Sequence, residues 1–370
     1  MKQIKRLKKM MTALFVLVIL LQISSTAFAS NASNAHSDFD DQLNNLLYCI
    51  YSDAQGFGFL EEDLRDIYLG EPIFAYELRD DCLYELDYSF YPITSNGQIL
   101  FFAIKDSIGV SLSQGLVKEL SVFVDNSVDV ALVYDKYSCY ALTYDRVELL
   151  CTFSEPVAYR STFEDELQIL NYSTAANIQF APISAQQSLS ANLTISPPRA
   201  QNKLASAGRA DVALIVPFVT QNPPSSLCWA ASIACIGNYL TGSSYTAAQI
   251  AQFHYGNSTT TPPALTTIYS ILNNRYGVYY YYTSSSAPND LTIVENISNG
   301  FPLYARWGYS GGNHAGVIRG IYQSVSCVFV MDPEYGFSVA YKSSGNYSYV
   351  SAYSAVTLTL NGVVAEWYYW

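Results

Sequence analysis

Gln221-Asn222-Pro223-Pro224-Ser225-Ser226-Leu227-Cys228-Trp229-Ala230-Ala231-Ser232 is the stretch on which the reading of this chain turns. Its alanine-rich end reads as a helix over Cys228–Leu240, stopped near Gly242. A thiol at a helix N-terminus lies at the positive end of the helix dipole, which favours thiolate. A side-chain amide a few residues upstream, that of Gln221, can aim donors at a developing oxyanion. The pattern points to Cys228 as a nucleophile. The commoner fate of cysteine is that of a small buried hydrophobe, which suits Cys235 on the same helix and Cys327 inside a strand.

A thiol nucleophile needs a base, and usually a group that orients the base. Beyond Cys228 there are two histidines. His314 follows Gly311-Gly312-Asn313 and opens a strand over Ala315–Ile321, with glycines that leave room for a substrate backbone. Asp332 ends the next strand, and Pro333 biases it towards an extended conformation. Neighbouring antiparallel strands can bring His314 and Asp332 side by side. His254 ends a helix beside Tyr255-Gly256, where it serves as a partner for the helix dipole. Gly308-Tyr309-Ser310-Gly311-Gly312 matches G-x-S-x-G, but a nucleophile elbow needs a helix after the serine and here a strand follows. No His, Cys and carboxylate cluster has metal-ligand spacing, so neither a metal nor another cofactor is expected.

Around this core the chain divides by composition. Lys2, Lys5, Arg6, Lys8 and Lys9 precede an apolar run from Met10 to about Leu21, then Ala27-Phe28-Ala29. Residues 1–29 thus read as a secretory signal peptide, and the mature product is expected to be exported, with no membrane span. The net charge of −12 lies almost wholly in residues 30–211, which carry −16, whereas 212–370 carry −1. This asymmetry argues for two units, and neither has the basic surface that nucleic acid requires. Seven cysteines, with no C-x-x-C pair, leave at least one thiol unpaired in a monomer.

Residues 30–172 read as a small, mostly antiparallel α+β unit: a helix over Phe39–Asp53, then strands at Leu83–Phe90, Gln98–Ile104, Leu120–Val124, Val130–Tyr134, Cys139–Thr143 and Val147–Phe153. Residues 173–210 have linker composition and contain Arg199, Lys203 and Arg209 as candidate processing sites. Residues 211–370 begin with a strand over Ala213–Val219 and continue with helices over Cys228–Leu240, Thr246–His254 and Pro263–Arg275, the last with Thr261 as N-cap. A short helix capped by Asn289 or Asp290 ends at Gly300. Strands follow at Pro302–Trp307, Ala315–Ile321, Cys327–Met331, Ser338–Tyr341 and Val356–Leu360. Helices first and strands later make this an α+β layout.

The run from Gln221 through Cys228-Trp229-Ala230-Ala231, the run His314-Ala315-Gly316-Val317-Ile318-Arg319-Gly320, and Val328-Phe329-Val330-Met331-Asp332-Pro333 together resemble secreted bacterial papain-like cysteine peptidases, in the region of the staphopains and bacteriocin-leader-processing peptidases. The resemblance covers about Val216 to the C-terminus. It implies a papain-like domain with a helical half and an antiparallel β half. It implies a Cys-His-Asp triad of Cys228, His314 and Asp332, with an amide that completes the oxyanion hole. Gln221 lies seven residues before Cys228 where the family usually has six, so Asn222, at the usual spacing, is the alternative. Tyr335 is the aromatic that would shield the His–Asp pair. The resemblance also implies a zymogen, with residues 30–172 as a pro-region and intramolecular partner, and a peptide or protein as substrate.

Two other readings compete. The same triad serves other acyl transfers: amide hydrolysis, transglutamination or bacteriocin processing. In the other, 19 of the 32 tyrosines lie in residues 212–370, where exposed aromatics would suit a non-catalytic cell-surface binding protein. Tyrosines that half-bury on strands explain the same composition.

Overall fold

The computed structural model describes residues 39–152, 178–182 and 211–365, apart from 65, 81, 108, 126–127, 136–137, 223–225, 257–261, 281 and 344. The signal-peptide stretch and Arg199, Lys203 and Arg209 lie outside the described residues. The chain divides into two compact units, Met1–Leu43 and Asn44–Trp370. Of the first only 39–43 are described, and they are helical. Apart from these residues at the start of the first helix, everything below concerns the second.

Helix α1 (39–52) leads into a short 3-10 turn at Ala54–Phe57. Strands β1 (Ile67–Leu69), β2 (Ile73–Arg79), β3 (Cys82–Ser95), β4 (Gln98–Lys105) and β5 (Val110–Ser113) follow. Helix α2 (Val117–Asp125) separates them from β6 (Asp129–Tyr134), β7 (Ser138–Leu142), β8 (Val147–Thr152) and β9 (Ala181–Pro182). The pairings run β5–β4–β3–β2–β6–β7–β8; β2 and β6 are parallel and the other neighbours antiparallel. Alternation along β6 and β7 explains why nearly every residue there is buried. Val130, Leu132, Tyr134, Cys139 and Ala141 face one core, under α2. Ala131, Val133, Tyr140 and Leu142 face a second, on the other side.

The segment expected as a strand at Leu120–Val124 is α2. Its β-branched valines suggest a strand, but Leu120 and Phe123 fall on one helical face and are fully buried, as is Leu116 just before the helix, with Val122 turned outward. The helical period and its burial outweigh the propensity.

The remaining elements are β10 (Asp211–Ala213), α3 (Cys228–Thr241), α4 (Ala247–Tyr255), α5 (Leu265–Tyr276), β11 (Tyr282–Ser284), α6 (Asp290–Ser298), and β12 (Leu303–Tyr309), β13 (Gly312–Tyr322), β14 (Cys327–Asp332), β15 (Gly336–Ser343), β16 (Asn346–Ser351) and β17 (Val356–Ala365). The strand expected over Ala213–Val219 does not form: β10 ends at Ala213, paired with β13, and residues 214–219 run on without strand pairing. Helix α5 starts at Leu265, with Ala264 as its N-cap residue. Pro263 disfavours the helical conformation at Pro262, so this pair stays in the approach to the helix. β16 had no counterpart in the sequence reading.

Helix α3 is buried from Trp229 to Asn238, which places it at the centre of the helical half. It can lie so close to α5 because Gly237 has no side chain. A Cβ there would sit 2.2 Å from the Tyr276 ring. The strands β12 to β17 pair in order, and β17 returns to β12, so the six close into a ring. Trp307, Ile318, Val328, Val330, Tyr349, Leu358 and Val363 fill its core, together with Ile293 and Ile297 from α6. Among the described residues no helix is long and apolar enough to cross a membrane.

The N-terminal sheet continues into this ring through β5, whose Leu112 and Ser113 pair with Val339 and Ser338 of β15. Arg319 on β13, fully buried, reaches the other way. Its Nη1 donates to Asp53 Oδ2 at 2.8 Å and to the Leu214 carbonyl at 3.0 Å. Its guanidinium lies 4.3 Å from the centroid of the Phe57 ring. Breaking a buried pair by removing one partner leaves a stranded charge. Asp53→Ala is therefore expected to destabilise the protein by about 3–5 kcal/mol in urea unfolding. Asp53→Leu combined with Arg319→Met should recover much of the loss. Equal stability of Asp53→Ala and the parent would show that the pair carries no such role.

Candidate active site

The site is assembled from the tip of α3 and the facing ends of β13 and β14. Cys228 is the first residue of α3, and Leu227 at the N-cap offers no side-chain cap. The first-turn N–H groups of such a helix have no partner within it, so they are directed at whatever sits over the thiol. Cys228 is half-buried, whereas Cys235, two turns later, is fully buried. Burial pushes the Cys235 thiol up to about 12. Of these two thiols on one helix, only Cys228 is open to a substrate.

His314 lies within β13 and pairs in register with Trp307 of β12. Its Nε2 is 2.9 Å from Asp332 Oδ1. A carboxylate oxygen accepts, so this contact assigns the proton to Nε2 and leaves Nδ1 for the thiol. Cys228 lies within hydrogen-bonding reach of the ring. Burial is the largest single influence on His314 and disfavours the imidazolium, but Asp332 and Cys228 outweigh it and hold the pKa well above the ordinary value. The arrangement favours the imidazolium form of His314.

Asp332 is fully buried at the end of β14. Its Oδ1 accepts from the Glu334 N–H at 2.9 Å, and its Oδ2 accepts from Tyr349 Oη at 2.8 Å. Burial raises a carboxyl pKa, yet His314 and these two donors keep Asp332 below its usual range. Tyr349 escaped the sequence reading because it sits on β16. The Trp307 ring meets Tyr349 edge-on at 4.9 Å, and both are fully buried. Tyr349 thus meets Asp332 through its hydroxyl and Trp307 through its ring. Tyr335 lies close enough to Asp332 to feel its charge, with its hydroxyl 3.2 Å from Ser338 Oγ and its ring against Tyr353.

Gln221 and Asn222 differ in placement. Gln221 is buried, and its backbone N–H donates to the Pro333 carbonyl at 2.8 Å, one residue past Asp332. Asn222 is exposed and has a left-handed backbone, φ +54°, with its N–H on Thr220 Oγ1. The irregular backbone thus falls where the loop is one residue longer than the family spacing. The Gly308–Gly312 stretch is a hairpin: Tyr309 ends β12, Gly312 opens β13, and no helix follows Ser310. The ring of His254, in the last turn of α4, packs against Trp229 and Tyr255.

His314, Asp332 and Glu334 have potential ligand atoms within 4.8 Å of one another. The His314 and Asp332 atoms that face each other already share a proton, so a cation there would have to break the dyad.

Comparison with known proteins adds one finding. No curated protein matches the chain. Residues 208–349, less than half of its length, match the profile of a family described as papain-like cysteine protease AvrRpt2. The matched segment contains Cys228, His314, Asp332 and Tyr349, and its mixture of helices and strands is that of an α+β domain. By this match the protein is an enzyme, a papain-like cysteine peptidase over the segment that carries these residues.

Proposed function

We propose that the protein is an exported cysteine endopeptidase made as a zymogen, which hydrolyses peptide bonds with Cys228 as nucleophile, His314 as base and acid, and Asp332 as the group that orients His314. The observation that carries this reading is the 2.9 Å contact between His314 and Asp332, with Cys228 within hydrogen-bonding reach of the same imidazole. The Cys228 thiolate attacks the scissile carbonyl, and His314 gives its proton to the leaving amine. Water, deprotonated by His314, then releases the acyl group and restores the thiol. The Cys228 backbone N–H and the Gln221 side chain are the oxyanion donors in this reading. The buried position of Gln221 beside Pro333 favours it over exposed Asn222. The N-terminal apolar run supports export, and the seating of β5 on β15 supports residues 30–172 as an intramolecular pro-region.

Replacing Cys228 with Ala should lower hydrolysis of an unfolded protein substrate by about 10⁴-fold or more, since residues of such a unit act together. At mildly acid pH, iodoacetamide should label Cys228 ahead of Cys235 and Cys327. Equal labelling rates, or activity retained in Cys228→Ala, would overturn the proposal. Amine acceptors should not divert the acyl group into stable products; if they do, the same triad runs a transfer reaction.

Tyr349 acts through Asp332. Tyr349→Phe removes one donor to a buried carboxylate, worth about 1.5 kcal/mol. We expect kcat to fall about tenfold with KM nearly unchanged, and the acid limb of the pH profile to move upward. An unaltered acid limb would reduce Tyr349 to a packing residue.

Glu334 sets a pH dependence of stability. Burial first, and the neighbouring Asp332 charge, raise its carboxyl from 4.5 to about 7, with His314 opposing. Between these values the folded chain binds more protons at Glu334 than the unfolded chain does. Its contribution therefore makes stability fall as pH rises from about 4.5 to 7. Glu334→Gln should flatten that decline in thermal midpoints measured across the window. Parallel curves for the two proteins would contradict it.

A further inference from the structure

Two thiols meet where α1 reaches the ring of strands. Cys49 Sγ is 3.7 Å from Cys327 Sγ, and both side chains are fully buried. The contact is held in register by its neighbours. Cys49 lies one helical turn before Asp53, whose carboxylate accepts from Arg319. Phe57, one further step along the chain, packs edge-on against Phe329 with ring centroids 4.7 Å apart. Cys49, Asp53 and Phe57 thus dock on Cys327, Arg319 and Phe329, which lie on the adjacent strands β13 and β14. Neither cysteine takes part in the chemistry assigned to Cys228.

We propose that Cys49 and Cys327 form a disulfide that ties α1 covalently to β14. The sulfurs must approach to about 2 Å, a movement within reach of small side-chain rotations. The oxidant is a low-molecular-weight disulfide. A Cys49 or Cys327 thiolate attacks it, its S–S bond breaks, and a mixed disulfide forms. The second protein thiolate then displaces the remaining small thiol. Two electrons pass to the oxidant, and the two thiol protons leave with the two small thiols released. Burial, followed by the adjacent Cys327 sulfur, keeps the Cys49 thiol well above its ordinary pKa in the folded chain. The exchange therefore belongs to folding, before α1 closes over the strands.

The link spans 278 residues of sequence and so bridges the whole stretch 183–210. A chain cut there would remain one covalent molecule, with α1 anchored to the peptidase unit. Cys139 and Cys151, which face each other across β7 and β8, lie on the same side of that stretch and cannot hold two such fragments together. The link does not depend on the peptidase reading.

The test uses the full chain carrying Cys228→Ala, with a recognition site for a sequence-specific protease inserted between residues 183 and 210. The protein is refolded with glutathione disulfide, alkylated and cut. Denaturing electrophoresis without reductant should show one species of full mass, and reductant should release two fragments. Peptide mapping of uncut, parental protein should recover Cys49 and Cys327 in one cross-linked peptide. Cys49→Ser and Cys327→Ser should each separate the fragments without reductant. Two fragments without reductant, a linked species that survives Cys49→Ser, or alkylated Cys49 and Cys327 in the parental map would overturn the proposal. The parental map decides the matter if either serine variant fails to fold.

Discussion

Closure of β12 to β17 into a ring is the constraint on which the site depends. A strand hydrogen-bonded on both sides cannot slip by one residue without turning its core face outward. With Val317 opposite Met331 and Tyr322 opposite Cys327, the beginning of β13 is fixed beside the end of β14. His314 and Asp332 are therefore neighbours because the ring is closed, although 18 residues separate them. The thiol arrives from outside the ring, on a helix whose position is fixed by its own burial. Trp229 to Asn238 leave α3 no exposed face on which to rotate.

The same closure makes charge inside the structure costly, and each buried ionisable group answers this differently. Asp332 keeps its charge because an imidazole, a hydroxyl and a backbone N–H converge on it. Arg319 keeps its charge through one carboxylate, one carbonyl and two aromatic rings. Glu334 has its backbone, not its carboxylate, bonded to Asp332, and its carboxyl drifts upward to about 7. Two carboxyls two residues apart thus differ in protonation through their surroundings alone. Asp332 can serve as a fixed negative charge only because donors converge on it and not on Glu334.

Much of this was readable from local pattern. The thiol at a helix start, the glycines before His314 and the Asp-Pro ending a strand are short-range signals, and the structure brings these three residues together. The helices α3, α4 and α6 lie close to where their caps and periodicity put them, because Gly242, Gly256 and Asn289 carry that information in a single residue each. What escaped was long-range. Asn346–Ser351, the sequence of β16, is polar and tyrosine-rich, and it is a strand because β15 and β17 flank it. With β16 unforeseen, Tyr349 had no route to Asp332. Trp307 was in view as a strand residue, but its place beside Tyr349 follows only from ring closure. α2 misled for the opposite reason: its local propensity favours a strand, and the distant core it covers decides for a helix.

The loop that joins β14 to β15 carries a further consequence. It holds Asp332 and Glu334 at one end, and at the other end it meets the N-terminal sheet. The Gln114 N–H donates to the Phe337 carbonyl at 3.1 Å, and the Phe337 N–H donates to Gln114 Oε1 at 3.3 Å. Between them Gly336 has φ +125°, and a Cβ there would lie 2.4 Å from Gln114 Oε1. Glycine is required there by the backbone angle, since the end of the Gln114 side chain could move aside. On the far side of the turn, Pro333 accepts from Gln221. One loop of a few residues thus links the group that orients His314, the amide beside the thiol and the edge of the N-terminal sheet. Two hydrogen bonds between Gln114, just past β5, and Phe337, at the start of β15, thus join the N-terminal sheet to the strand that follows the Asp332 loop.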